Sequence, residues 1–301
     1  MSVSDDIQAR IPAFDSADFR AHVFEKSVLH IPNALQNTEF DGVFSRDEVS
    51  AMVFFGNMHA SEIEAIGPSG VHRDQTLFNP RGFLNASKAK ALFERGFHFR
   101  LLGVHKRDAF TYRISQLLSK AFSTIVPANA YVSPPQSQGF GPHYDPHDVI
   151  VLQTGGRKVW SIFASDQGTP ALPLQSQNFV KERHESLSGD KIEEFVLNEG
   201  DLLYIPRGVF HAARSGEVAS IHLTFGIRPP TWASVLDGFF DKLYKDKLIF
   251  RKAIIADGDL EGDFEQVRAE IRRALDSVRP EDVMPEPLDI AMSETSDFFL
   301  F

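Results

Sequence analysis

Cysteine is missing from all 301 residues, which excludes a disulfide framework, a thiolate zinc site, an iron–sulfur cluster, a thiol nucleophile and a thioether-linked haem. Any metal must then sit on histidine and carboxylate. Basic residues are in the minority, 31 against 41 acids for a net charge of −10, which opposes a polyanion such as nucleic acid and suits a cationic protein or peptide partner. No apolar run approaches the ~20 residues that cross a bilayer. Met1-Ser2-Val3-Ser4-Asp5-Asp6 lacks the basic and then apolar order of a secretory leader. The expectation is a cytoplasmic protein with neither a membrane nor a nucleic-acid partner.

Phenylalanine is abundant, at 27 residues beside 5 tyrosines and 2 tryptophans. With 43% hydrophobic and 24% charged residues, the chain has the make-up of a globular domain able to bury roughly three quarters of its unfolded surface. Three regions follow from the patterning. Residues 1–125 mix helices with an occasional strand: Phe19, Val23 and Phe24 share one face of a short helix near Asp15, and Val28–Ile31 is a strand stopped by Pro32. Ser45 with Glu48 three residues on is a capping box. A third helix closes at Gly96, and a fourth runs from about Asp108 with Ile114, Leu117, Leu118 and Phe122 inward.

Residues 126–230 change to period two, punctuated by Gly and Pro. Six strands are expected, at Ala128–Ser133, Asp148–Gln153, Lys158–Phe163, Phe195–Leu197, Leu202–Ile205 and Ala219–Ile227, with Gly155-Gly156 as a hairpin turn and 164–194 as a long polar connection. The fold class is mostly β with helical appendages, its core a double-stranded β-helix, or cupin-like jelly roll. In residues 231–301, Trp232, Val235, Leu236, Phe239, Phe240, Leu243 and Tyr244 form a helical apolar stripe, and Phe264, Val267, Ile271 and Leu275 a second one. Either packs on the jelly roll or joins two copies of the chain. The end, Phe298-Phe299-Leu300-Phe301, is a docked tail or a frayed one.

His143-Tyr144-Asp145 places imidazole and carboxylate on one side of an extended segment. By itself the spacing means little, since chance supplies roughly one or two His-x-acid matches in such a composition. His72-Arg73-Asp74 is the other match. Context favours His143, which precedes a strand, and His211, at a strand end in the same sheet system, completes two histidines and a carboxylate. That set occupies one face of an octahedral ion and leaves the other open, as in non-haem Fe(II) oxygenases, while catalytic zinc is the alternative.

Alternation also identifies a pocket face. Ser220, His222, Thr224 and Gly226 lie opposite Ala219, Ile221, Leu223, Phe225 and Ile227, and Asn129, Tyr131 and Ser133 lie opposite Ala130 and Val132. Lys158 shares a face with Trp160 and Ile162. Inside a cavity its ammonium needs an anion, such as the far carboxylate of a metal-chelating dicarboxylate. The alternative is a solvated turn lysine.

The blocks Asn129–Ser133, Gly139-Phe-Gly-Pro-His143-Tyr-Asp145, Thr154-Gly-Gly-Arg-Lys158-Val-Trp160, Glu199-Gly-Asp-Leu-Leu-Tyr-Ile-Pro-Arg-Gly-Val-Phe-His211 and Ile221-His-Leu-Thr-Phe-Gly226 resemble, in order, the cupin-like JmjC 2-oxoglutarate oxygenases of the ribosomal oxygenase group. Phe19–Ile31 and Gly42–Val49 are similar to that group's opening segments, so the resemblance covers about residues 14–245. It implies His143, Asp145 and His211 as Fe(II) ligands, Lys158 as the partner of the 2-oxoglutarate C5 carboxylate, and Asn129 and Tyr131 as substrate-binding residues. The implied activity is Fe(II)-, 2-oxoglutarate- and O2-dependent hydroxylation of a protein or peptide side chain, a ribosomal protein being one candidate target. A homodimer through the C-terminal helices is implied as well. Two rivals stand beside this reading: a metal-dependent cupin enzyme that does not use 2-oxoglutarate, and a non-catalytic cupin binding module.

Overall fold

Along the segment Asp148–Gly155, Val149 and Val151 turn to one side and Ile150 and Leu152 to the other, and all four are buried. A strand that is apolar on both faces must lie between two packed layers. The computed structural model describes residues 14, 16–34, 44–55, 58–67, 70–72, 75–165, 172–173, 188–255 and 258–279. Among these it has eleven strands and six α-helices. The strands are β1 (Leu29–Ile31), β2 (Ile63–Gly67), β3 (Gly70–His72), β4 (His98–Leu101), β5 (Ala128–Ser133), β6 (Asp148–Gly155), β7 (Lys158–Ser165), β8 (Ser188–Leu197), β9 (Leu202–Ile205), β10 (Phe210–Ser215) and β11 (Ser220–Ile227). The helices are α1 (Ala17–His22), α2 (Arg46–Phe55), α3 (Ala86–Glu94), α4 (Ala109–Phe122), α5 (Trp232–Asp246) and α6 (Leu260–Ser277).

An eight-stranded sheet runs β1-β9-β6-β11-β5-β4-β2-β3 and a three-stranded sheet runs β10-β7-β8. Every strand pair is antiparallel. Phe14, Phe19, Phe44, Leu92, Ile114 and Leu118 cluster with Ile150, Leu152, Tyr204, Leu223 and Phe225 from the large sheet, so one apolar layer joins helices to sheet. It absorbs much of the phenylalanine. A smaller cluster, Val149, Val151, Trp160, Leu197, Leu203 and Ile205, lies between the two sheets. Tyr131 and Ser133 of β5 and His222 and Thr224 of β11 face that same interior.

Local signals place the helices. Ser16 Oγ caps α1 by accepting from Phe19 N at 3.1 Å. Ser45 and Glu48 cap α2 reciprocally, at 2.7 and 3.3 Å. Asp108 Oδ2 caps α4 through Thr111 N at 2.7 Å. Each such cap stabilises a helix by roughly 1 kcal/mol.

Several expectations need correction. Gly155-Gly156 is not a hairpin turn, because β6 pairs with β9 and β11 while β7 pairs with β8 and β10. There the chain steps from one sheet to the other. Gly156 does so at φ +63°, where a Cβ would stand 2.3 Å from the Ala219 carbonyl oxygen, so only glycine fits. The connection after β7 is shorter than 164–194, since β8 already begins at Ser188. Its polar first half is an exposed sheet edge, where charge blocks edge-to-edge pairing.

His211 is not at a strand end but is the second residue of β10, whose Ala-Ala-Arg interior carries little β propensity. His72 closes β3. The short strands β2, β3 and β4 were not anticipated.

Contacts divide the chain into one unit ending at Arg228 and another beginning at Pro229. In the second unit, α5 buries only Val235 and Leu243, and α6 buries none of its residues. Among the described residues the two stripes are therefore largely exposed, Trp232 at 69% and Phe264 at 62%. Residues 298–301 lie outside the described residues. Among those described, no helix is long and apolar enough to cross a membrane.

Phe225, fully buried on β11, tests the helix–sheet layer. Phe225→Ala is expected to lower stability by about 3–5 kcal/mol in urea unfolding. A loss below about 1 kcal/mol would place the main apolar contact elsewhere.

Candidate metal centre

The segment from Gln138 to His143 flanks β10 through two isolated bridges, Gln138↔Arg214 and His143↔His211. His143 and His211 exchange both backbone hydrogen bonds, at 3.0 and 2.7 Å. Directly opposed residues of an antiparallel pair project to the same face, and the two imidazole centroids are accordingly 4.5 Å apart. Asp145, two residues on, returns to that face. Its carbonyl oxygen accepts from Gly208 N at 3.0 Å, and its carboxylate stands 3.8 Å from His211 Nε2. Donor atoms of His143, Asp145 and His211 all lie within 4.8 Å of one another, the one such cluster among the described residues.

A buried ionic anchor ties the two ligand-bearing segments together. Asp148, fully buried at the start of β6, accepts from Tyr204 Oη at 2.6 Å and from Arg207 Nη1 at 2.9 Å. Arg207 opens the turn that leads to His211, and its other amino group meets Glu25 at 2.6 Å. Removing one partner of a buried pair costs about 3–5 kcal/mol, so the spacing between the ligand segments is stiffly held.

The backbone also sets the tautomers. His143 Nδ1 lies 2.9 Å from the Gly141 carbonyl and His211 Nδ1 lies 2.9 Å from the Val209 carbonyl. A carbonyl can only accept, so each Nδ1 carries the proton and each Nε2 is the basic nitrogen, as in metal-ligating histidines held by an outer partner. Burial, and then the neighbouring His211, depress His143 to about 4, which keeps its ring neutral at physiological pH. Burial alone would raise Asp145, but His147, His143, His211 and Arg100 together outweigh it and hold the carboxyl below its ordinary value. Two imidazoles, each with Nε2 free of the backbone, and one carboxylate on one face form a donor set that fits a divalent first-row ion.

These ligands open onto a cavity of about 70 Å³ whose walls include Tyr131, Lys158, Trp160, His222 and Thr224. Lys158 is only 4% exposed. Its Nζ donates to Ser133 Oγ at 2.8 Å and lies 3.3 Å from His222 Nδ1. Ser133 in turn meets His98 Nδ1, and Ser137 meets His98 Nε2, each at 2.9 Å. No ion pair among the described residues includes Lys158, and burial lowers it to about 7. Tyr131 stacks on His222 with centroids 4.9 Å apart and hydrogen-bonds Arg100. Trp160 packs between His211 and His222, and its buried Nε1 has no hydrogen-bond partner. An ammonium without a counter-ion and an unmet indole N–H on one wall suit an anionic, oxygen-rich ligand.

Five of the residues singled out from the sequence, His143, Asp145, His211, Lys158 and Tyr131, thus line one cavity. Asn129 is not among its walls; its Oδ1 accepts from Gly103 N at 3.0 Å. His72 packs against Phe97 instead, and Asp74 lies outside the described residues. Sequence reasoning passed over His98 and Arg100 because β4 was unseen. Gly226 on β11 has a packing reason, since a Cβ there would come within 3.0 Å of the His147 ring.

His143→Ala and His211→Ala are each expected to weaken Mn(II) binding by at least the ~10–100-fold that follows loss of an outer partner, while His72→Ala leaves it unchanged. Equilibrium dialysis with metal analysis reads this directly. Full metal retention by both His143→Ala and His211→Ala would dissolve the assignment.

Comparison with known proteins was made in three ways. Residues 103–235 match the JmjC domain. The chain is 34% identical over 209 residues to ribosomal oxygenase 1 of Homo sapiens, covering 67% of this chain and 31% of that protein. It is 31% identical over 227 residues to the bifunctional lysine-specific demethylase and histidyl-hydroxylase NO66 of Aedes aegypti, covering 74% of this chain and 35% of the relative. The chain therefore spans about a third of the length of these relatives. Among solved structures, YcfD, a ribosomal oxygenase from Escherichia coli, superposes with a TM-score of 0.56 at 17% identity over 88% of this chain and 66% of that one. YcfD in complex with cobalt and 2-oxoglutarate gives 0.52 at 18%, over 88% and 67%. At such identity the likeness is one of fold.

Proposed function

This chain carries a JmjC domain, and on that premise we propose that it is an Fe(II)- and 2-oxoglutarate-dependent hydroxylase of a protein or peptide side chain. The observation that carries the reading is the convergence of His143, Asp145 and His211 on one cavity with Lys158. Relatives named ribosomal oxygenase and histidyl-hydroxylase, and a solved relative of the same fold in complex with cobalt and 2-oxoglutarate, support it. A ribosomal protein is one candidate target, and the net charge of −10 suits so basic a partner.

In this reading the two Nε2 atoms and the Asp145 carboxylate hold the metal on one face, and Lys158 receives the distal carboxylate of the cosubstrate. Ferrous iron with 2-oxoglutarate and O2 supplies oxidative decarboxylation to succinate and CO2, with one oxygen atom entering a substrate C–H bond. The chain's own part is positional. Trp160, Tyr131 and His222 wall the cavity against water, the Trp160 indole offers a donor to a bound oxygen, and Arg100 fixes the Tyr131 hydroxyl. Tyr131 and Asn129 remain proposed substrate contacts, Tyr131 from the cavity wall and Asn129 from the strand end beside it. Lys158, buried and without an anion, weighs against a cupin that uses no dicarboxylate.

The uncovered faces of α5 and α6, with Trp232, Leu236, Tyr244 and Phe264 outward, are read as a contact between two copies of the chain. Exposed apolar patches of this kind mark association surfaces. A cytoplasmic location fits the cysteine-free composition.

Succinate should form when Fe(II), 2-oxoglutarate, O2 and a ribosomal-protein fraction are supplied, with a one-oxygen mass gain on a target residue. Lys158→Ala should raise the 2-oxoglutarate requirement about 10- to 100-fold, the equivalent of one charge-assisted hydrogen bond, while metal still binds. Metal binding without any 2-oxoglutarate-dependent succinate, across protein and peptide substrates, would refute the proposal.

A further inference from the structure

We propose that 2-oxoglutarate enters this cavity together with a proton, because the ion pair its distal carboxylate makes with Lys158 exists only when that lysine is charged, so that cosubstrate affinity falls as pH rises above neutrality. The inference rests on the functional reading above and adds a regulation to the same site.

The geometry around Lys158 is that of a neutral nest. From β5, Ser133 accepts its hydrogen bond at 2.8 Å. From β11, His222 Nδ1 stands at 3.3 Å. From β4, His98 holds the Ser133 hydroxyl. On the two strands flanking β7, its register partners are Leu197 on β8 and Ser215 on β10, neither of them titratable. Of the charged groups around the cavity, Asp145 on its wall is engaged with the histidines, and Arg100, behind Tyr131, with Glu64 and Tyr131. Buried ammonium groups without a counter-ion shed their proton, and burial brings Lys158 to about 7.

The two facing histidines do not compete in the window that matters. Burial and then the charge of Lys158 depress His98 to about 4, and burial, Lys158 and His98 drive His222 well below its ordinary value. His98 is thus neutral at pH 6 and above, and the same burial and positive charge hold His222 in its neutral form. Neutral His222 accepts from the ammonium through Nδ1, which leaves Nε2 as its protonated nitrogen.

The sign follows directly. Below about pH 7 the free protein already carries the charged lysine, and binding of the dianion exchanges no proton. Above it the free protein holds neutral lysine, and binding draws one proton from solvent to form ammonium and carboxylate together. Affinity then weakens about tenfold per pH unit.

Isothermal titration of 2-oxoglutarate into the Mn(II)-loaded protein, in pairs of buffers that differ in ionisation enthalpy, counts the protons. The expected result is almost none taken up at about pH 6, close to one at about pH 8.5, and an affinity that falls roughly 30-fold between about pH 6 and pH 8.5. Lys158→Arg, whose guanidinium stays charged, should bind with a flat pH profile. Tight binding with no proton uptake at either pH, or uptake that persists in Lys158→Arg, would overturn the inference while leaving the functional reading intact. Absence of 2-oxoglutarate binding at every pH would remove the functional reading itself, and this inference with it.

Discussion

Two reciprocal backbone hydrogen bonds between His143 and His211 are the constraint on which the site depends. They join residues 68 positions apart as a directly opposed antiparallel pair. The side-chain period of a strand is two, so a slip of one residue would send either imidazole to the opposite face. The ligand geometry is thus a property of strand register before it is a property of side chains. The buried Asp148–Arg207 pair and the Gly208–Asp145 hydrogen bond hold that register from behind.

The same alternation sorts the large sheet into two chemistries. Ile221, Leu223, Phe225 and Ile227 join the layer that packs on the helices. Between them, His222 and Thr224 look into the cavity. A sheet with helices on one face and a second sheet over the other can keep a polar interior without losing its apolar support, because the two functions occupy alternate residues of one strand. The interior then holds what an exposed face would hydrate: a lysine without a counter-ion, two neutral histidines and an unmet indole N–H. The groups are costly to bury unpaired, and a bound dicarboxylate would offset that cost.

The core was legible where the period-two signal was strong. Ala128–Ser133 and Leu202–Ile205 match the observed strands to the residue, and the opposing faces of β5 and β11 separate as their alternation implies. The capping box at Ser45 and the helix start near Asp108 were readable because such signals depend on neighbours within a few residues. What was lost depends on partners far away in the chain. Gly70–His72 and His98–Leu101 are short and mix imidazole or guanidinium with apolar residues, so they show neither a clear alternation nor the continuous apolar run of Leu202–Ile205, and with His98–Leu101 went His98 and Arg100. The sheet switch at Gly155-Gly156 looks locally like a hairpin turn, and only the pairing of β6 with β9 and β11 distinguishes the two. In the site, the spacing of His143 and Asp145 was visible but no better than chance. Their meeting with His211 is a tertiary fact, anticipated by the placement of the three residues around the expected strands and by the resemblance to a known family, and not by composition.

The most direct test of the central claim is the metal's own position, from anomalous diffraction of crystals grown with Mn(II) and 2-oxoglutarate. The account predicts one peak about 2.0–2.3 Å from Nε2 of His143, Nε2 of His211 and an Asp145 carboxylate oxygen, with the distal carboxylate about 3 Å from Lys158 Nζ. A metal bound through Nδ1 of either histidine, or seated away from this trio, would contradict it.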